Sequence, residues 1–547
     1  MNTPDTRRWW ALGALAISVL VVGLDLTVLN LALPTLARDL HASTGDLQWF
    51  VAAYSLVVAA ALLPAGLLGD RLGRKKVLIA ALVMFGIGSA ACAYAGSAGA
   101  LIAARAFLGL GAAAILPLAL SVLPVLFTEE ERPKAIAVVG GATFISYPIG
   151  PILGGWLLDK FWWGSIFLIN VPVVVIAVIA VALLMPESRS SQRPRVDVLG
   201  IALSSIGLTG VTYAVIRAGQ DGWSSGAAAG TMLAGVVILG VFVLWERRVS
   251  AREVIQPLID LSLFRSASFT WGTILSTMVS FALFGILFTV PQYFQDVRGT
   301  DALGSGLRQL PLIGGMLVGL ALGGSLQTPR KDRASQPDAA PPAARAGAKV
   351  LATVGFTVMG AALAVGAFTT VSSGTGFAAA WLAVAGLGLG FAMPAALNAA
   401  LGALSAERSG TGSALITAMR QVGATIGVAA LGTVLASVYR SHLHLTGLPT
   451  AVTAAVRSGV GPGIEAARKL ASAPLLDSVR IAFVHGMDVM LWVCGGIALT
   501  SALLALAFLP RTARPMEAGP GPHGSGPVAA PVDSGGQNQE HERDARR

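Results

Sequence analysis

Charge is what this sequence has least of. Its 547 residues include 38 basic and 28 acidic side chains, 12% of the chain, where an average soluble domain carries about 25%. A water-exposed surface cannot be built from so few, which excludes an ordinary soluble enzyme. Cysteine is nearly absent: Cys92 and Cys494 both fall in apolar runs, which excludes a disulfide framework or a cysteine metal site. Lysine is scarce, seven against 31 arginines. No GxxxxGK(S/T) loop occurs, so no ATP-driven step is expected. Paired acids of the DxxD type are missing as well, and the polar loops are too short for a catalytic domain. Both absences weigh against a membrane enzyme acting on lipid-linked substrates. The net charge of +10 does not describe a nucleic-acid arm, because the polar tail 511–547 carries five basic and five acidic residues and cancels itself.

What is abundant is apolar. Hydrophobic residues make up 54% of the chain, with 65 glycines among them, and the mean hydropathy is +0.72. A helix crosses a bilayer with about 20 apolar residues. Fourteen runs of that kind occur, near 10–33, 47–68, 77–96, 101–123, 135–158, 164–185, 198–217, 227–245, 268–290, 305–326, 349–369, 377–402, 411–438 and 486–509. Orientation follows from loop arginines and lysines. With the N-terminus inside, inner segments hold about 23 of them and outer segments about 10, and the positive-inside rule then puts both termini in the cytoplasm.

Polar linkers at 186–197 and 327–349 divide the chain further. The expected fold is an all-α integral membrane protein with 14 transmembrane helices, two pseudo-symmetric six-helix bundles plus a two-helix insert. The bundles span 1–185 and 267–510, the insert spans 186–266, and 511–547 reads as a disordered cytoplasmic tail. The string LGLGAAAILPLAL from Leu108, followed by Glu131 and Arg132, is echoed by LGLGFAMPAAL from Leu387, followed by Glu407 and Arg408. Such internal duplication is what an alternating-access transporter with a site near the midplane shows. The outer loop 440–480 contains AVRSGVGPGIEAARKLA, which suits either short amphipathic helices at the membrane surface or a solvated loop. His442 and His444 in that loop read as solvated rather than metal-binding, and no metal site is expected.

Charges deep in a span are costly, by about 2.5 to 3.5 kcal/mol each on insertion scales. Asp25, Arg105 and Arg420 are the three that stand out. Asp25 can take a proton or a cation as a site alternates between faces, or serve as the partner that neutralises Arg105. Arg420 can balance charge, bind an anionic group or hydrogen-bond helix carbonyls, and with Tyr54 it is a candidate substrate or charge-balance residue. Arg217, Arg308 and Glu246 lie near span ends, where snorkelling makes them cheap. Between the second and third spans GLLGDRLGRKKVL runs from Gly66 to Leu78, with Gly66, Asp70, Arg71, Gly73 and Arg74 in a fixed order that basic topology signals alone do not require.

That loop resembles the signature of the major facilitator superfamily. LDLTVLNLALP from Leu24 is similar to the first-helix signature of its drug:proton antiporters, and LIAARAFLGLGAA from Leu101 to the fourth-helix signature, with Leu108 where glutamine is usual. GPILGG, from Gly150 through Pro151 to Gly154 and Gly155, matches the core of the fifth-helix antiporter motif, while Ala137 and Ser146 replace its upstream glycines. LQWFVAAYSL at Leu47, PQYFQ at Pro291 and MRQVGATIGVAALG at Met419 resemble the fourteen-helix branch of quaternary-ammonium and multidrug efflux pumps.

The resemblance implies a proton-coupled antiporter that exports lipophilic drugs, antibiotics or biocides across a bacterial cytoplasmic membrane. Asp25 and Arg105 would carry coupling, Asp70 with Arg71 and Arg74 would act in an inner gate, and Gly150 to Gly155 would enforce antiport. Expected partners are a small lipophilic substrate, the proton and membrane lipid, with no nucleic acid, no cofactor, and a monomer as the working unit. Some relatives carry further acids in spans 10 and 13. Their absence here predicts poor handling of organic dications and better handling of monocationic, zwitterionic or neutral compounds. A proton-coupled transporter of a single metabolite is the alternative.

Overall fold

The computed structural model describes residues 5–189, 197–222, 224–250, 258–327, 347–404, 408–445 and 447–510. The tail 511–547 and most of the linkers 186–197 and 327–349 lie outside the described residues, as does Glu407. Among the described residues there is no strand. Fourteen helices are long and apolar enough to cross a membrane, and they coincide with the runs read from the sequence: α1 (Arg7–Asp39), α2 (Thr44–Leu72), α3 (Arg74–Ala93), α4 (Ala98–Leu126), α5 (Lys134–Lys160), α6 (Ser165–Leu184), α7 (Val198–Asp221), α8 (Gly226–Ser250), α9 (Ala267–Val297), α10 (Ala302–Leu326), α11 (Ala348–Gly366), α12 (Thr375–Leu401) and α13 (Gly410–Ser441). Two short helices, α14 (Thr450–Ser458) and α15 (Val460–Lys469), precede the last span, α16 (Ala473–Phe508).

Side-chain caps mark several starts. Ser43 and Asp46 form a reciprocal capping box at α2, Ser97 caps α4 and Ser472 caps α16, each satisfying amide donors that a helix end leaves free. Helices α1 to α6 pack among themselves, as do α9 to α13 with α16, and these two groups meet where α2 lies on α13, α5 on α10 and α1 on α9. Helix α7 wedges against α2 and α13, while α8 leans chiefly on α7. Leu233, Val236, Val237 and Leu244 of α8 are more than half exposed, as a lipid-facing helix requires.

Glycine explains how so many helices approach closely. Gly315 and Gly319 of α10 face Gly386 and Gly390 of α12, and a Cβ on Gly390 would lie 2.8 Å from the Cα of Gly319. These are two four-residue glycine repeats meeting face to face, so the backbones touch and dispersion contacts replace the hydrophobic drive that lipid cannot supply.

Two details differ from the sequence reading. The last span starts at Ala473 rather than near 486, because Ser472 caps it and the helix continues through the polar residues Asp477, Arg480 and His485. Glu246 does not snorkel. It is fully buried, its Oε2 accepts from the Ile259 amide at 3.2 Å, and it sits beside Asp197, which accepts from the Gly200 amide and the Trp245 indole at 2.9 and 2.8 Å. The chain folding back over the end of α8 covers a position that sequence distance alone places at a surface. The loop 440–480 settles into helices whose apolar residues Val456, Val460, Ile464 and Ala467 are buried against protein. Tyr439 donates to the Val456 carbonyl at 2.8 Å, and Thr44 donates to that of Ser458 at 3.1 Å.

Candidate functional site

One end of the molecule carries the 70–76 loop and is here termed the basic end; the other is the far end. At the basic end a cavity of about 580 Å3 opens between the two groups of helices, lined by Leu62, Asp70 and Arg74 on one side and by Gly410, Ser413 and Thr417 of α13 on the other. At the far end the groups are in contact. Gln295 of α9 donates to the Leu31 carbonyl at 2.8 Å, and the Asp159 carboxylate accepts from the amides of Ala302 and Leu303 at 3.1 and 3.2 Å.

Asp25 of α1 and Arg105 of α4 are brought together, with Nη1 2.5 Å from Oδ2. Arg105 also donates through Nε to the Phe50 carbonyl at 3.0 Å and lies over the Tyr54 ring, 4.4 Å from its centroid. Arg105 and Tyr54 are 0% exposed and Asp25 3%. The pair is neutral as a unit, yet Asp25 Oδ1, Arg105 Nη2 and the Tyr54 hydroxyl have no hydrogen-bond partner. Buried polar atoms left open in this way raise the cost of the arrangement.

The loop between α2 and α3 is built around Asp70. Arg74 donates to it through Nε at 2.9 Å and to the Ser121 carbonyl of α4 at 2.9 Å. Gly73 turns the chain at φ +118°, a backbone region that side chains resist. Arg71 is exposed, and Gly66 lines the cavity. Asp70 thus bonds within its own group of helices, with the cavity between it and α13.

GPILGG works as a two-sided contact. A Cβ on Gly150 would run into Thr27, and one on Gly154 would come within 2.7 Å of Val28, both on α1. On its other face, a Cβ on Gly155 would lie 2.5 Å from the Cα of Leu303 on α10. Pro151 sits inside the helix, and its carbonyl lies against Gly306 of α10. The motif therefore touches both groups at once.

Arg420 stands apart from these residues. Its Nε donates to Ser280 of α9 at 3.3 Å, and Tyr147 of α5 is the titratable group within its electrostatic range. Tyr147 and the inter-helix contacts of Asp159, Gln295 and Gln48, which donates to the Ala429 carbonyl of α13 at 2.9 Å, escape sequence reading, since none is charged in mid-span and their partners are far along the chain. Asp488 also escapes it. Placed near a span start by hydropathy, it lies well inside α16 with a buried Oδ1 that has no partner, beside Tyr293.

The profile of the Major Facilitator Superfamily matches residues 15–428. The chain is 32% identical over 526 residues to a tetracenomycin C resistance and export protein of Streptomyces glaucescens, covering 94% of each. It is 33% identical to the multidrug efflux pump LfrA of Mycolicibacterium smegmatis, over 92% of this chain and 95% of that one. It is 30% identical to the methyl viologen resistance protein SmvA of Salmonella typhimurium, over 91% and 97%. In structure it resembles an inward-facing, unoccupied bacterial homolog of the human lysosomal transporter Spinster, with a TM-score of 0.64 at 17% identity, over 93% of this chain and 98% of that one, a likeness of fold. The chain is a multi-pass bacterial membrane transporter and not an enzyme, and it belongs to the major facilitator superfamily, in its fourteen-helix drug:proton antiporter group.

Proposed function

We propose that the protein exports lipophilic drugs, antibiotics or biocides from the cytoplasm, each cycle driven by protons moving inward. The observation that carries this reading is the sealed Asp25–Arg105 pair, set in the same group of helices that walls a drug-sized cavity at the basic end. The resistance and export names of the relatives support it. The excess of arginine and lysine in the loops at the basic end supports reading that end as cytoplasmic, and on that reading the cavity faces the side from which drugs are removed.

In this scheme a substrate enters the cavity from the cytoplasm or the inner leaflet. Closure of the 66–74 loop against α13 and opening of the α5–α10 and α1–α9 contacts then expose it to the outside. Protonation of Asp25 from the outer side breaks its charge balance with Arg105 and resets the cycle. The membrane potential contributes about 2.3 kcal/mol per charge per 100 mV, so one proton suffices to support a gradient and no cofactor is needed.

Everted membrane vesicles containing the protein are expected to accumulate a fluorescent drug on energisation and to lose it on adding a protonophore. Asp25→Asn is expected to remove that uptake while eluting as a folded protein in detergent. Pump activity that stays proton-dependent in Asp25→Asn would overturn the assignment of coupling to Asp25.

A further inference from the structure

Arg420 is a partly buried cation with no counter-ion among the described residues. It lies ten positions along α13 from Gly410, about 15 Å along the helix at 1.5 Å per residue, and one turn beyond Thr417, the deepest α13 residue that lines the cavity. Among the described residues no carboxylate lies within ion-pair distance of it. Its one hydrogen bond among the described residues is the long one to Ser280. Unlike Arg105, it keeps some exposure and has no nitrogen that is both sealed and unpartnered, so its guanidinium can be reached. A guanidinium does not discharge in a protein, so this position stays positive throughout the cycle.

The acids nearest in depth do not offset it. Asp25 is held by Arg105, and Asp488 acts on Tyr293. Tyr147 of α5 is the titratable group within electrostatic range of Arg420, and with Leu283, Leu287 and Met316 it lines a small, chiefly apolar gap between the two groups of helices. A lone, reachable, permanently charged fork beside an apolar wall has the chemistry of an anion receptor, since planar guanidinium pairs with carboxylates and similar delocalised anions through two parallel bonds. It repels a lipophilic cation.

We propose that Arg420 supplies the counter-charge for the substrate, and that the preferred substrates are lipophilic aromatic compounds carrying one delocalised negative charge, such as a carboxylate or phenolate. This rests on the efflux reading above and narrows it. The lack of extra acids disfavours dications; Arg420 disfavours monocations as well. Export of a monoanion against an entering proton moves two charges in the direction that the membrane potential favours.

Binding to the whole protein in lipid nanodiscs tests the proposal without requiring transport. At about pH 5.5, where fluorescein is chiefly a monoanion, it and the monocation rhodamine 6G share a xanthene core and carry single charges of opposite sign. Wild-type protein is expected to bind fluorescein at least tenfold more tightly. Arg420→Gln is expected to lose at least tenfold in fluorescein affinity with rhodamine 6G binding unchanged or tighter, and Arg420→Lys to retain part of the preference. Should the variants fail to fold, competition on the wild type decides: pyrenebutyrate is expected to displace fluorescein where pyrenemethylammonium does not. Tighter binding of rhodamine 6G, equal losses for both dyes in Arg420→Gln, or equal displacement by the two pyrenes each overturns the proposal. Charge-selective binding without proton-driven transport would sink the efflux reading and leave the anion site standing. Efflux without charge selectivity would do the reverse.

Discussion

Arg105 and Arg420 are both arginines in the middle of membrane helices, and the two halves of the molecule treat them in opposite ways. Arg105 is closed in: Asp25, the Phe50 carbonyl and the Tyr54 ring occupy three sides of it, and water is excluded. Arg420 has, among the described residues, only a serine hydroxyl in hydrogen-bond reach and a phenol in electrostatic range, one turn beyond the cavity lining. The difference teaches that depth in the membrane does not define a role. On the proposed coupling, a charge whose partner is built into the fold stores and releases a proton, because adding one to Asp25 changes the balance of the pair. On the proposal for Arg420, a charge without such a partner is matched by the substrate.

The contrast is broken most severely at the sealed pair. Arg105→Leu leaves the Asp25 carboxylate buried without a partner, a change that costs about 3–5 kcal/mol when a buried pair loses one member. A large fall in thermal unfolding temperature is expected, and Arg105→Leu combined with Asp25→Asn is expected to recover part of it. A smaller effect is expected at the contact between the halves. Gly155→Val forces side-chain atoms into the backbone of Leu303, an overpacking that costs about 1–3 kcal/mol. It should also bias the protein away from far-end closure, read as faster labelling of a cysteine introduced at Leu303. The least effect on stability is expected at Arg420→Gln, within about 1 kcal/mol, since no ion pair is lost. A fall as large as that of Arg105→Leu would show that Arg420 has a structural partner after all and would remove the contrast.

Much of this was legible in the chain. The fourteen spans follow from runs of apolar residues whose length matches a bilayer, and Asp25, Arg105 and Arg420 announce themselves because a charge is expensive there. The stripe of Ser146, Gly150 and Gly154 indicates a close helix contact by its four-residue spacing. The boundary of α16 was less legible, since a helix that projects beyond the membrane carries polar residues and hydropathy loses it. Glu246 reads wrongly, and Asp488 goes unread, for a related reason: distance from the end of an apolar run measures depth only when the helix stops where the run does.

The sequence by itself determined the class of protein, the number of crossings and the charges that had to be explained, because the bilayer imposes length and polarity on each helix separately. Tertiary structure alone decided which charges meet. Asp25 and Arg105 are separated by 80 residues, Gly155 touches Leu303, and Tyr147 comes within electrostatic range of Arg420 across the two halves. None of these pairings is encoded in local periodicity. They arise from how helices pack once small residues let their backbones approach, and that packing is what leaves one arginine in an ion pair and the other with none among the described residues.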